Sequence, residues 1–138
     1  MAFKTSQLFM FLLVVVFCLS FNIDSYYSRP LPRQAGTFNG DATFYDVGLG
    51  ACGITSQNTQ FVCAIPQSQF DPSPNGNPNL NPHCGRQVQV TRGSKSVVVT
   101  VVDRCVGCGF NDIDLSPTAF DQIADPAEGR VKVSWCYI

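Results

Sequence analysis

The chain has 138 residues and a formal net charge of −1, enough length for one domain rather than two. From Gly36 onward it carries six Lys or Arg against nine Asp or Glu. With no basic stripe to neutralise phosphate, nucleic acid is excluded as a partner.

Met1 to Lys4 lead into an apolar run, Leu8 to Leu19, which Asn22 and Asp24 end. A membrane-spanning helix needs roughly 20 apolar residues, so the run is read as a secretory signal peptide over residues 1–25, cleaved between Ser20 and Ser25. The expectation is a secreted, extracellular protein with no membrane partner. Residues 26–36, with two Pro and two Arg and no hydrophobic period, read as a flexible lead or pro-segment. The ordered domain is placed at 37–138. Cys18 leaves with the signal peptide; Cys52, Cys63, Cys84, Cys105, Cys108 and Cys136 remain. An even count in a short exported chain implies three bridges, whose pairing spacing alone does not choose.

Taken in order, Phe38 to Asp46 reads as a first strand, and Gly48, Gly50 and Gly53 open a turn-rich stretch around Cys52. Gln60 to Ala64 is a short apolar strand, and Pro66 to Phe70 one helical turn with Pro at its start. Asp71 to Pro82, with its prolines among asparagines, is a long loop unable to join a ladder. Gln87 to Arg92 alternates polar and apolar residues, Gly93-Ser94 turns, and Ser96 to Val102 is a β-branched run read as buried on both faces. Ser116 to Ala124 reads as a helix, with Ser116 as N-cap, Pro117 at the first position, and Phe120, Ile123 and Ala124 on one face. Val131 to Tyr137 alternates strictly, which assigns Trp135 to core packing. Antiparallel strands with many turns suggest a small closed barrel, and the absence of a long amphipathic helix points to a monomer.

Five stretches in order, Gly40-Asp-Ala-Thr-Phe-Tyr45, Gly50-Ala-Cys-Gly53, Cys84-Gly-Arg86, Val101-Val-Asp-Arg-Cys105 and Ile113-Asp-Leu-Ser-Pro-Thr-Ala-Phe120, resemble the double-psi β-barrel domain of expansins. The nearest pattern is that of the single-domain fungal loosenins within the RlpA-like and barwin-like group. The resemblance implies a mainly β, six-stranded, disulfide-stapled barrel with one or two short helices. It also implies an open groove that binds wall polysaccharide (cellulose, hemicellulose or chitin) and loosens it without hydrolysis. By the same resemblance Asp114 is the central acid, Asp103, Thr43 and Tyr45 share the polysaccharide-binding site, and the bridges are Cys52–Cys84, Cys105–Cys108 and, for the remaining pair, Cys63–Cys136. No metal or cofactor is expected.

Two departures narrow the function. The stretch Val62 to Gln67 lacks the His that RlpA-type lytic transglycosylases use. Inverting glycosidases need two carboxyls roughly 6.5–9.5 Å apart. The base of family-45 endoglucanases, which share this barrel, would fall near Asp46, but Asp46 sits one residue early, and a one-residue shift on a strand turns a side chain to the opposite face. The hydrolytic pair is therefore read as incomplete. The alternatives are a weak endoglucanase with Asp114 as acid and Asp46 as base, and a barwin-like effector or defence protein. Asp114 has a competing reading as a charge favouring the helix N-terminus, Asp103 as a partner of Arg104 or a turn former, and Thr43 and Tyr45 as plain strand residues. Asp112 reads as a groove flank or a solvated loop charge. Cys105-x-x-Cys108 reads as a structural bridge rather than a redox or zinc pair, the only His, His83, lying in a Pro-flanked loop.

Overall fold

The computed structural model describes residues 36–138; the assigned signal peptide and nearly all of the lead lie outside the described residues. Six strands of this region close into a barrel in the order β1-β5-β2-β4-β3-β6, the architecture implied by the resemblance. They are β1 (Phe38–Phe44), β2 (Val62–Pro66), β3 (Gln87–Arg92), β4 (Lys95–Cys105), β5 (Ile113–Leu115) and β6 (Val131–Tyr137). Two short helices, α1 (Gln67–Phe70) and α2 (Pro117–Asp121), follow β2 and β5 directly.

The local reasons are plain in the residues. β3 and β4 are β-branched and joined by a two-residue turn whose first position, Gly93, has φ of +59°; a tight hairpin asks for left-handed backbone there. In β4, Val97, Val99 and Val101 are buried while Val98 is exposed. The strand therefore alternates over most of its length, contrary to the expectation of burial on both faces. The β-branched run reflects strand propensity rather than two covered faces. Nor is the sheet purely antiparallel: β1 pairs parallel with β5, and β2 parallel with β4. Strand β4 serves twice, its first half in the hairpin with β3 and its second half beside β2.

The interior is filled by Val88, Val90, Val99, Val101, Ile113, Leu115, Phe120 and Trp135, all essentially inaccessible. Trp135 packs as expected, with Phe38 stacked on it at 4.3 Å, and its indole N–H donates to the Asn111 carbonyl at 2.7 Å. Ser116 does not cap α2 with its side chain. It is buried, and its hydroxyl donates to the Gln60 carbonyl at 2.6 Å, tying the start of the helix to the entry of β2. The Pro-rich segment after α1 forms two 3₁₀ turns, Pro74–Gly76 and Pro78–Leu80, rather than a plain loop.

Two of the expected bridges are present, Cys52–Cys84 and Cys105–Cys108. The third is not: Cys63 and Cys136 are free. Cys63 lies on β2 and points into the core, whereas Cys136 alternates with buried Trp135 on β6 and is partly exposed. In the closed order, two strands separate β2 from β6 in either direction, so the sulfurs lie on different parts of the wall and on opposite sides of it. Burial drives the Cys63 thiol far above its ordinary pKa, which keeps it an inert core residue. Alkylation of the unreduced domain in denaturant is expected to label Cys63 and Cys136 and no other cysteine of residues 36–138. Recovery of a Cys63–Cys136 linked peptide would contradict this arrangement.

Candidate functional site

Asp114 is the middle residue of β5, between Ile113 and Leu115, both fully buried. Alternation turns its side chain away from the core that its neighbours fill. The strand runs between β1 and β2, with Asp114 opposite Thr43 on one side and Ala64 on the other. The Thr43 hydroxyl donates to Asp114 Oδ1 at 2.7 Å. The register thus brings together two residues 71 positions apart. Desolvation is the largest influence on this carboxyl and raises its pKa above the usual range, opposed by the Thr43 hydrogen bond and by Arg130 and reinforced by the charge of Asp103. Tyr45 joins the same group. Burial first, then the neighbouring charges of Asp103 and Asp114, push its phenol well above its ordinary value, so it stays a hydroxyl.

Asp103, near the end of β4, uses Oδ1 to accept from the backbone N–H of Ala51 and of Arg104, both at 2.8 Å. The Arg104 guanidinium does not pair with it but reaches Asp71 at 2.8 Å. Asp103 therefore anchors the loop carrying Gly50-Ala-Cys-Gly53 against the β4 end. Cys52 N–H donates to the Val102 carbonyl at 3.1 Å, and the Cys52–Cys84 bridge secures the same loop. Gly50 is required there, because a Cβ would collide with the Val102 carbonyl oxygen and come within 3.2 Å of the Asp103 Cβ.

Asp46 is placed differently. It is exposed, beyond the end of β1, and its Oδ1 accepts from the Asn58 amide at 2.8 Å. Asn58 in turn accepts from the Val47 N–H at 2.9 Å, so the pair closes a local loop clamp. Because β1 ends at Phe44, Asp46 is positioned by this clamp rather than by strand alternation.

Sequence reasoning missed the work of Asp112. Rather than a purely solvated charge, it is a loop anchor: Oδ1 accepts from Asp41 N–H and Oδ2 from Gly109 N–H, each at 2.9 Å. Arg130 stands 3.6 Å from the same carboxylate. The loop from Cys105 to Asp112 is thereby pinned to β1, and Gly40 admits it closely, since a Cβ would strike the Asn111 backbone. An Asp three residues after Gly109 and just past a Cys-x-x-Cys pair was the available signal, though its partner Asp41 is far away in sequence. Phe110 and Val106 stand exposed on this loop, and Leu49 on the loop that Asp103 holds.

The Asp114 carboxyl yields a test. Its raised pKa means that its charged form destabilises the fold above that pKa, and that this cost disappears as pH falls toward the ordinary carboxylate range. Asn keeps the acceptor for Thr43 and carries no charge. Asp114→Asn is therefore expected to be at least as stable as the parent at neutral pH, with the parent gaining on it as the solution is acidified. Chemical denaturation across pH 4–8 reads both. A loss of more than about 2 kcal/mol at neutral pH, the size of an orphaned buried hydrogen bond, would contradict it.

Comparison with known proteins places this geometry. The chain is 37% identical over 123 residues to the allergen Asp f 7 homolog of Arthroderma benhamiae, covering 78% of this chain and 41% of that one; it spans about two fifths of that relative's length. Among solved structures it is similar to the Streptomyces papain inhibitor, at 33% identity and TM-score 0.70, covering 79% of this chain and 99% of that one. A single-site variant of the Clavibacter michiganensis expansin in complex with cellohexaose shares the fold at 24% identity and TM-score 0.62, covering 75% of this chain and 50% of that one. Residues 37–135 match the double-psi β-barrel family described as lytic transglycolase, and the chain belongs to that family.

Proposed function

We propose that this is a secreted, non-hydrolytic protein that grips an extended β-linked wall polysaccharide over Asp114 and loosens its packing by exchanging hydrogen bonds. The observation that carries the proposal is the desolvated carboxyl at Asp114, bonded by the Thr43 hydroxyl, while the neighbouring aspartates of the described residues are engaged in holding loops. Asp103 spends an oxygen on two backbone N–H groups, and Asp46 is held by Asn58. β2 is buried throughout and contributes neither His nor carboxylate, which speaks against the cleavage that the family's description names. The two bridges agree with an oxidising compartment. The fold neighbour from Clavibacter holds cellohexaose, a β-linked glucan.

In this mechanism Tyr45 donates to sugar oxygens while Asp114, steadied by the Thr43 hydroxyl on Oδ1, accepts from sugar hydroxyls, replacing contacts between polysaccharide chains. Each bond contributes about 1 kcal/mol net, so three or four give a dissociation constant near the millimolar range. Weak, reversible contact suits a protein that must move along its target.

A second reading has its own support. The papain inhibitor is matched over 99% of its length, and exposed aliphatic groups, Leu49 and Val106, stand on the loops beside the site. These fit a protein surface better than a sugar. In that case the chain would inhibit a papain-like protease.

One set of assays decides. The mature domain, residues 37–138, is expected to release no reducing ends from cellulose, xyloglucan, xylan or chitin. It is also expected to sediment with at least one of them, and Asp114→Asn should lower the bound fraction about tenfold, the loss of a hydrogen bond to a charged group. Reducing-end release abolished in Asp114→Asn would establish an endoglycanase instead. Inhibition of papain with no binding to any glycan would establish the second reading.

A further inference from the structure

Cys105, Cys108 and Asp114 converge: the two sulfurs and a carboxylate oxygen all lie within 4.8 Å of one another, each residue partly accessible. We propose that opening the Cys105–Cys108 bridge creates a three-ligand site for a thiophilic divalent cation, zinc among physiological ions, with water completing the tetrahedron. In the bridged form the sulfurs are bonded to each other and hold no metal.

The choice of bridge follows from the chain. Cys105–Cys108 closes a loop of sequence separation 3, whereas Cys52–Cys84 spans 32 residues. A short loop restricts the unfolded chain least, so its bridge contributes least to stability. The loop also has other moorings. Asp112 binds Asp41 N–H and Gly109 N–H, Asn111 receives the Trp135 indole N–H, and the Phe110 carbonyl accepts from the Gln69 amide. None of these bonds involves sulfur, so the thiols stay beside Asp114 when the bridge opens. Val106 and Gly107, between the two cysteines, are exposed, which gives a small reductant access.

The chemistry balances. Two equivalents of a low-molecular-weight thiol reduce the disulfide to two protein thiols and leave as their own disulfide. The cation then binds both sulfurs as thiolates, releasing two protons, together with the Asp114 carboxylate. Zinc–sulfur bonds of about 2.3 Å place tetrahedral ligands roughly 3.5–4 Å apart, a separation that the freed sulfurs can reach with little movement of the loop.

The test uses the domain in a Cys136→Ser background, which removes the other accessible thiol. Mild thiol treatment followed by alkylation and peptide mapping is expected to free Cys105 and Cys108 while Cys52–Cys84 stays intact. After removal of the reductant under nitrogen, cadmium titration is expected to raise a sulfur-to-metal charge-transfer band at one equivalent, absent from the unreduced protein and displaced by zinc. Asp114→Asn should weaken cadmium binding at least about tenfold, as losses around a metal commonly do. Simultaneous opening of both bridges, no band after reduction, or a band of unchanged affinity in Asp114→Asn would each overturn the proposal. Near-ultraviolet circular dichroism of Trp135 reports whether the reduced protein keeps its fold, and a lost signal would also overturn it.

Discussion

The site depends on the burial of two apolar residues that take no part in it. Ile113 and Leu115 are driven into the barrel, and the alternation of a three-residue strand leaves Asp114 between them no face but the outer one. Parallel pairing with β1 then sets Thr43 opposite the acid, and antiparallel pairing with β2 sets the small Ala64 on its other side. The carboxyl is held by the core rather than by a flexible loop, and it bears a desolvation cost that only one hydroxyl and a distant guanidinium relieve. A group kept at that cost, with spare acceptor capacity turned outward, is suited to bonds with a ligand.

Around that fixed point, two other aspartates serve as scaffold. Asp103 binds one loop through Ala51 N–H, and Asp112 binds the other through Asp41 and Gly109 N–H. In both places a glycine, Gly50 or Gly40, lets backbone approach backbone where a Cβ would collide. Mutating Asp103 would disturb the loop as well as any ligand contact, so loss of function there would not by itself assign a binding role. Asp114 is the cleaner position, since Asn preserves the one hydrogen bond its side chain makes among the described residues.

Much of the fold was readable from the chain. The hairpin, the final strand, Trp135 in the core and the short helix after Ser116 all came from local alternation, turn residues and Pro placement. β5 escaped because three residues are too few to show a period, and Ile113-Asp-Leu reads equally well as the approach to α2. The parallel pairs escaped because pairing between distant segments leaves no local mark. Cys63 was assigned a bridge on the strength of an even cysteine count, yet its strand position faces the core and that of Cys136 does not. For the site, the grouping of Thr43, Tyr45, Asp103 and Asp114 came from family resemblance. No residue pattern alone would have paired Thr43 with Asp114 across 71 positions, nor assigned Asp112 to holding a loop.

The most direct measurement is a residue-resolved nuclear magnetic resonance titration of the isotope-labelled domain with cellohexaose. Shifts are expected at Thr43, Tyr45 and Asp114 and along the two loops held by Asp103 and Asp112, with fast exchange and a dissociation constant near the millimolar range. The open hollow of about 390 Å³ between Asn39, Thr91, Arg92 and Lys132 should stay unperturbed. Shifts confined to that hollow, or none at Thr43 and Asp114, would contradict the assignment of Asp114 to the ligand.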